Sequence, residues 1–119
     1  MKTVLSVDEY DLLNFFEVMP TPTDHDIEWA YNDSLYKVNR SNLELSFAIT
    51  PACRDATIKL KAGGLVLYEL NATGVKDVRR HRDKGRDSLE IVLMARESIW
   101  IRLRPEISIY HSVSADGRE

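Results

Sequence analysis

From Ile27 to Tyr110 the chain runs in short segments of alternating apolar and polar residues, punctuated at nearly even intervals by turn formers. That rhythm constrains the fold more than any other feature. A strand exposes alternate side chains on opposite faces, and the chain reverses where Gly, Asn or Asp tolerate turn conformations, so the pattern predicts an antiparallel meander.

The clearest strand holds Leu43, Leu45, Phe47 and Ile49 in alternation with Glu44, Ser46, Ala48 and Thr50. Ala56, Ile58 and Leu60 follow with the same period and end at Gly63-Gly64, a hairpin signal. Leu65 to Leu70 is almost continuously apolar and is expected to be a central strand covered on both faces. Two further strands, over 75–82 and 87–94, flank the turn Asp83-Lys84-Gly85-Arg86. Ile99, Ile101 and Leu103 share parity with Ile107 and Ile109, and Pro105 between them is expected to break the stretch or place it at an edge. Ile27–Tyr31 and Leu35–Asn39 read as two more strands, divided by Asn32-Asp33.

One helix precedes the meander. Ser6 and Glu9 stand at capping-box spacing, Leu12, Leu13, Phe15 and Phe16 fall mostly on one face, and Pro20 and Pro22 stop the helix soon after Val18. The expectation is therefore a mainly β fold, with α+β as the near alternative. About eight or nine short strands form a sandwich or partial barrel, with an amphipathic helix at about 7–18 packed against it. A single domain spans 1–111, and the tail 112–119 is expected to be disordered.

With 119 residues, 44% of them hydrophobic, the chain has enough material for one core. No apolar run approaches the roughly 20 residues of a membrane-spanning helix, and acids at 8, 9 and 11 interrupt any signal-peptide core. The lone Cys53 has no internal disulfide partner, so the expected location is cytoplasmic. Residues 1–50 carry nine acids against three bases, whereas residues 51–119 carry thirteen bases against ten acids. Such asymmetry suits a charged protein partner, provided that the fold does not interleave the two halves.

Two groups of residues stand out as a binding surface. Arg79, Arg80 and Arg82 lie in the segment richest in cations; strand geometry sets Asp77, Arg79 and His81 on one side and Lys76, Arg80 and Arg82 on the other, so neither side is expected to be deeply buried. On the last strand Trp100 is expected to share an outward face with Arg102 and Arg104, the Trp-plus-Arg combination enriched at interface hot spots. The alternative for Trp100 is cover by the helix. The basic segment lacks aromatics for base stacking and the isoelectric point is near 5.6, which argues against nucleic acid.

Signals for chemistry are weaker. Asp24-His25-Asp26 places a histidine between two carboxylates, a minimal metal-ligand group with no second cluster at ligand spacing. Arg54 beside Cys53 favours a thiolate, but no nucleophile motif surrounds it. No cofactor is expected. The sequence thus favours a non-enzymatic, bacterial-type protein-binding module of an immunity-like kind. Two alternatives stand beside it: a β-barrel with a small-ligand or hydrolase-like pocket lined by Trp29, Tyr36 and Tyr68, and a homo-oligomer, such as a dimer, joined through the edge strand near Pro105.

Overall fold

The computed structural model describes residues 5–22 and 26–113, with Pro22 described for its backbone alone. The helix α1 spans Glu9–Phe16 and nine strands follow: β1 Thr21–Pro22, β2 Ser34–Arg40, β3 Leu43–Thr50, β4 Asp55–Ala62, β5 Leu65–Ala72, β6 Asp77–Asp83, β7 Arg86–Met94, β8 Glu97–Arg102 and β9 Ser108–Val113. They form two antiparallel sheets, each a simple meander, in the orders β1-β2-β3-β4-β5 and β6-β7-β8-β9. The sandwich expectation holds. The meander divides once, between β5 and β6.

Both sheets and the helix feed one core. Tyr36, Leu45, Phe47, Ile49 and Ile58 come from the first sheet, Val78, Leu89, Ile91, Ile99 and Ile101 from the second, and all are fully buried. Leu12, Phe15 and Phe16 carry the helix into the same cluster. Phe16 stacks on Tyr36 at 5.0 Å and on Phe47 at 5.5 Å between centroids, and packs edge-on against Phe15. Such aromatic pairs add to the area they bury, so the helix is fixed by what it covers rather than by its two turns of backbone hydrogen bonds.

Its cap differs from the expected one. Asp8 is the N-cap, accepting from the Asp11 amide at 2.8 Å while the Asp11 carboxylate accepts from the Asp8 amide at 3.0 Å. This is a reciprocal box two residues later than Ser6 with Glu9. Ser6 bonds instead to Asp77 at the start of β6, with its amide donating to Oδ1 at 2.7 Å and its hydroxyl to Oδ2. A long-range carboxylate outcompetes the local cap.

Two strand expectations are corrected. Ile27–Tyr31 is not a strand; Trp29–Tyr31 forms one 3-10 turn whose Trp29 Nε1 donates to the Tyr36 hydroxyl at 3.1 Å. The apolar run of β5 is an edge and not a central strand, pairing with β4 alone, and Leu65, Val66 and Leu67 are exposed. Hydrophobicity along a strand reports covered faces only when tertiary structure supplies a cover. A bulge in the β4–β5 ladder near Lys61 and Val66 adds to the departure. At the other end β9 runs through Ser112 and Val113, which pair with Ser98 and Glu97; residues 114–119 lie outside the described residues.

The crossing between sheets is held by Arg54. This residue sits in the left-handed region at φ 57, its carbonyl accepts from the Val75 amide at 2.9 Å, and its Nη1 donates to the carbonyls of Val75 and Lys76 at 3.1 and 2.6 Å. The guanidinium beside Cys53 therefore latches backbone. The sheets divide after residue 72 and not at residue 50, so the more basic half of the chain supplies β4 and β5 of the first sheet as well as the whole of the second. Described residues up to 50 carry eight carboxylates against two cations, while 77–113 carry eight cations against six carboxylates.

Candidate protein-docking face

Pairing in the second sheet builds an outward grid. One cross-strand row reads Arg79, Glu90, Trp100, Tyr110; the next reads His81, Ser88, Arg102, Ser108. The inward residues Leu89, Ile91, Ile99 and Ile101 force this arrangement, since period-two alternation sends their neighbours to the opposite face.

Glu90 anchors the grid. Its carboxylate accepts from the Ser98 hydroxyl at 2.6 Å, contacts His81 Nε2 at 2.9 Å and faces Arg79 Nη1 at 3.9 Å. Arg79 Nε also donates to Asp77 at 3.1 Å, and Arg102 Nε donates to the Ser88 hydroxyl at 3.2 Å. Above this network lies a line of rings: His81 tilts against Trp100 at 5.0 Å, and Trp100 stacks nearly parallel to Tyr110 at 6.1 Å and 8°. The Arg102 guanidinium carbon stands 5.9 Å from the Tyr110 centroid. Trp100 and Arg102 are half-buried and Tyr110 is 45% exposed. The helix packs on the inward side and does not cover Trp100. A rigid Trp-Tyr-Arg surface over satisfied polar groups has the composition of an interface hot spot.

Asp77 below this face is pushed up by burial, but the hydrogen bonds from Ser6, Arg79 and the Val78 amide outweigh that effect and hold its carboxyl below the ordinary 3.8.

The six residues singled out in the sequence are sorted anew by strand parity. Arg79, Trp100 and Arg102 come together on the outer face. Arg80, Arg82 and Arg104 belong to the opposite side. Arg104 leaves the Trp100 face because β8 ends at Arg102, and its Nη2 turns to Asp87 at 3.2 Å and to the Phe15 carbonyl at 3.3 Å. Arg80 is well buried, with 11% of its side chain exposed, which corrects the expectation of a side that stays wet. Asp87 makes that burial tolerable with two hydrogen bonds, Nε to Oδ1 at 2.9 Å and Nη2 to Oδ2 at 2.8 Å. Tyr110 and Ser98 were missed by sequence reasoning because only ladder register connects β9 and the start of β8 to Trp100.

Other sequence candidates fall elsewhere. Asp24 and His25 lie outside the described residues, and Asp26 is exposed. Among the described residues no group of three His, Cys, Asp or Glu could hold a metal ion. Among the clefts of the described residues none is lined by Trp29, Tyr36 and Tyr68 together; Phe16 stacks on the Tyr36 ring and Trp29 donates to its hydroxyl. Trp29 lines instead an open cleft with Asp8, Glu9, Tyr10 and Glu28. Among the described residues no helix is long and apolar enough to cross a membrane.

These features define a two-sheet antiparallel β-sandwich with a helix in its core and a preorganised aromatic-cationic face on the second sheet. The fold is similar to that of a chain in the contact-dependent growth inhibition toxin–immunity protein complex from Klebsiella pneumoniae 342, with a TM-score of 0.78 and 22% sequence identity over 96% of this chain and 100% of that one. At that identity the likeness establishes the fold. No protein-family model matches the sequence, and no curated protein matches it.

Proposed function

We propose that this chain is a protein-binding module of the immunity type, which holds a growth-inhibiting toxin in an inactive complex in the cytoplasm of the cell that makes it. The observation that carries the reading is the face of Trp100, Tyr110 and Arg102, whose rings and guanidinium are held in place before any partner arrives. Preorganised aromatic and Arg side chains lose little entropy on binding, which is what a tight inhibitory complex requires. The fold likeness to a chain of a toxin–immunity complex supports the same reading. Of the two halves, this reading takes the immunity half, because what the second sheet presents is a preformed binding face.

The test is protection. Cells expressing the chain are challenged with candidate growth-inhibiting toxins from the same organism, and binding of the purified pair is measured. Growth is expected to be restored, and Trp100→Ala and Tyr110→Ala are each expected to weaken binding by about 2 kcal/mol or more, roughly thirtyfold. Growth arrest by the chain alone would assign it to the toxin half, and unchanged binding by both variants would remove this face from the interface.

A second reading, self-association, is favoured by β5 rather than by the strand near Pro105. In an antiparallel pairing of two β5 edges about a point between Leu67 and Tyr68, Leu65 meets Leu70 and Val66 meets Glu69, so no like charges oppose. A concentration-dependent mass abolished by Val66→Lys would support it; a constant monomer mass would exclude it.

A further inference from the structure

On the side of the second sheet opposite Trp100, a cleft of about 490 Å³ is lined by Arg80, Arg82, Lys84, Arg86 and Arg104 around the single carboxylate of Asp87. We propose that this cleft is a second recognition site, which receives the carboxylates of an acidic segment of the partner protein. The inference rests on the reading of the chain as a protein-binding module and names the chemistry of what it binds.

Asp87 does not balance the cations around it. The carboxylate of Asp87 is already spent, bound twice by Arg80 and once by Arg104. Arg104 is held by a second carboxylate as well: its Nη1, buried without a hydrogen bond, is ion-paired with Glu17 Oε1 at 3.4 Å, so the cations left over are those at the turn.

Arg82, Lys84 and Arg86 are exposed and, among the described residues, carry no ion pair. They crowd a two-residue turn in which Lys84 (φ 52) and Gly85 (φ 79) are both left-handed. Asn, Asp or Gly is the usual residue at the first of these positions, so Lys there places a cation at the tip against backbone preference.

Pairing within the sheet therefore leaves a surplus of positive charge around a rigid arginine pair, and little apolar lining accompanies it. Such a site recognises charge and has no floor for a base or ring. Several carboxylates spaced along an extended chain match cations spread across a strand end and a turn better than one compact anion does. The acidic partner segment would meet this cleft while the Trp100 face engages a different part of the same partner.

Octaglutamate tests the cleft without the toxin. Titrated into the intact chain and followed by isothermal calorimetry and by amide shifts, it is expected to bind one to one. Binding should weaken about tenfold as NaCl rises from about 0.05 M to about 0.3 M, because the Debye length then falls from about 14 Å to about 6 Å. Shifts are expected at residues 80–87 and 104, leaving the Trp100 indole unmoved.

Arg82→Gln/Lys84→Gln/Arg86→Gln and its Glu counterpart are expected to lose at least tenfold in affinity while melting as the parent does. No saturable binding, equal binding by the Gln variant, or shifts centred on Trp100 would overturn the proposal. Tripolyphosphate binding more tightly than octaglutamate at the same residues would overturn it in favour of a phosphate-bearing ligand. Octaglutamate binding by a chain that binds no toxin would leave the cleft standing and refute the immunity reading. Toxin binding by a chain indifferent to octaglutamate would do the reverse.

Discussion

Asp87 and Arg80 form a two-point ion pair across the β6–β7 ladder, with 17% and 11% of their side chains exposed. The pair closes the open end of the core beside Leu89, and hydrogen bonding to Asp87 holds the Arg80 guanidinium even more firmly protonated than usual. Removing one partner strands the other. Asp87→Asn is expected to cost about 2 to 3 kcal/mol in urea denaturation, because Arg80 loses its anion and Arg104 keeps only Glu17. A loss below about 0.5 kcal/mol would show that water replaces the carboxylate without penalty.

Arg54 latches the crossing between the sheets through the carbonyls of Val75 and Lys76. Arg54→Ala is expected to lose about 2 kcal/mol from charge-assisted hydrogen bonds at a partly buried site. Arg54→Gly loses the same bonds but relieves a left-handed backbone, so it should be more stable than the Ala variant by about 1 kcal/mol. Equal stabilities of the two, measured side by side, would rule out backbone strain at this position.

Tyr36 dictates alkaline behaviour. Burial pushes its hydroxyl up to about 12, opposed by the hydrogen bond from Trp29 and aided by the nearby charge of Glu9. A phenol with a raised folded value stabilises the fold below the unfolded value near 10, and that contribution disappears as pH rises toward 12. Stability is expected to fall across this window in the wild type. Tyr36→Phe should start about 1 kcal/mol lower at neutral pH, having left Trp29 Nε1 without its acceptor, and then show a shallower alkaline decline. Tyr68, also raised by burial, retains a share of the slope.

Asp77 governs the acid side. Its lowered carboxyl stabilises the fold above the unfolded value of 3.8, and the contribution is lost as pH falls below it. Asp77→Asn is expected to cost about 1 kcal/mol at pH 7 by loosening Ser6 from β6, and to converge with the wild type in acid. A difference that persists undiminished at pH 3 would mean that side-chain shape, not charge, holds the N-terminal segment.

Much of this architecture was written locally. Leu43 to Thr50 alternates so regularly that only one face of β3 can be buried, and Gly63-Gly64 can only be a reversal between paired strands. The aromatic face of α1 likewise demanded a core to enter, and Trp100 was legible as an outward residue because Ile99 and Ile101 face inward.

Tertiary structure decided what local pattern leaves open. Whether the apolar run of β5 is a centre or an edge depends on what lies beside it, and no residue within the run carries that information. The row Arg79, Glu90, Trp100, Tyr110 exists only through register across four strands, which is set by core packing and turn length together. Arg80 and Arg79 look alike as neighbours in sequence. One is drawn inward because Asp87, seven residues away, arrives opposite it to share its charge, while the other remains on the surface beside Trp100. Periodicity fixes which side a residue faces; only the fold fixes what it finds there.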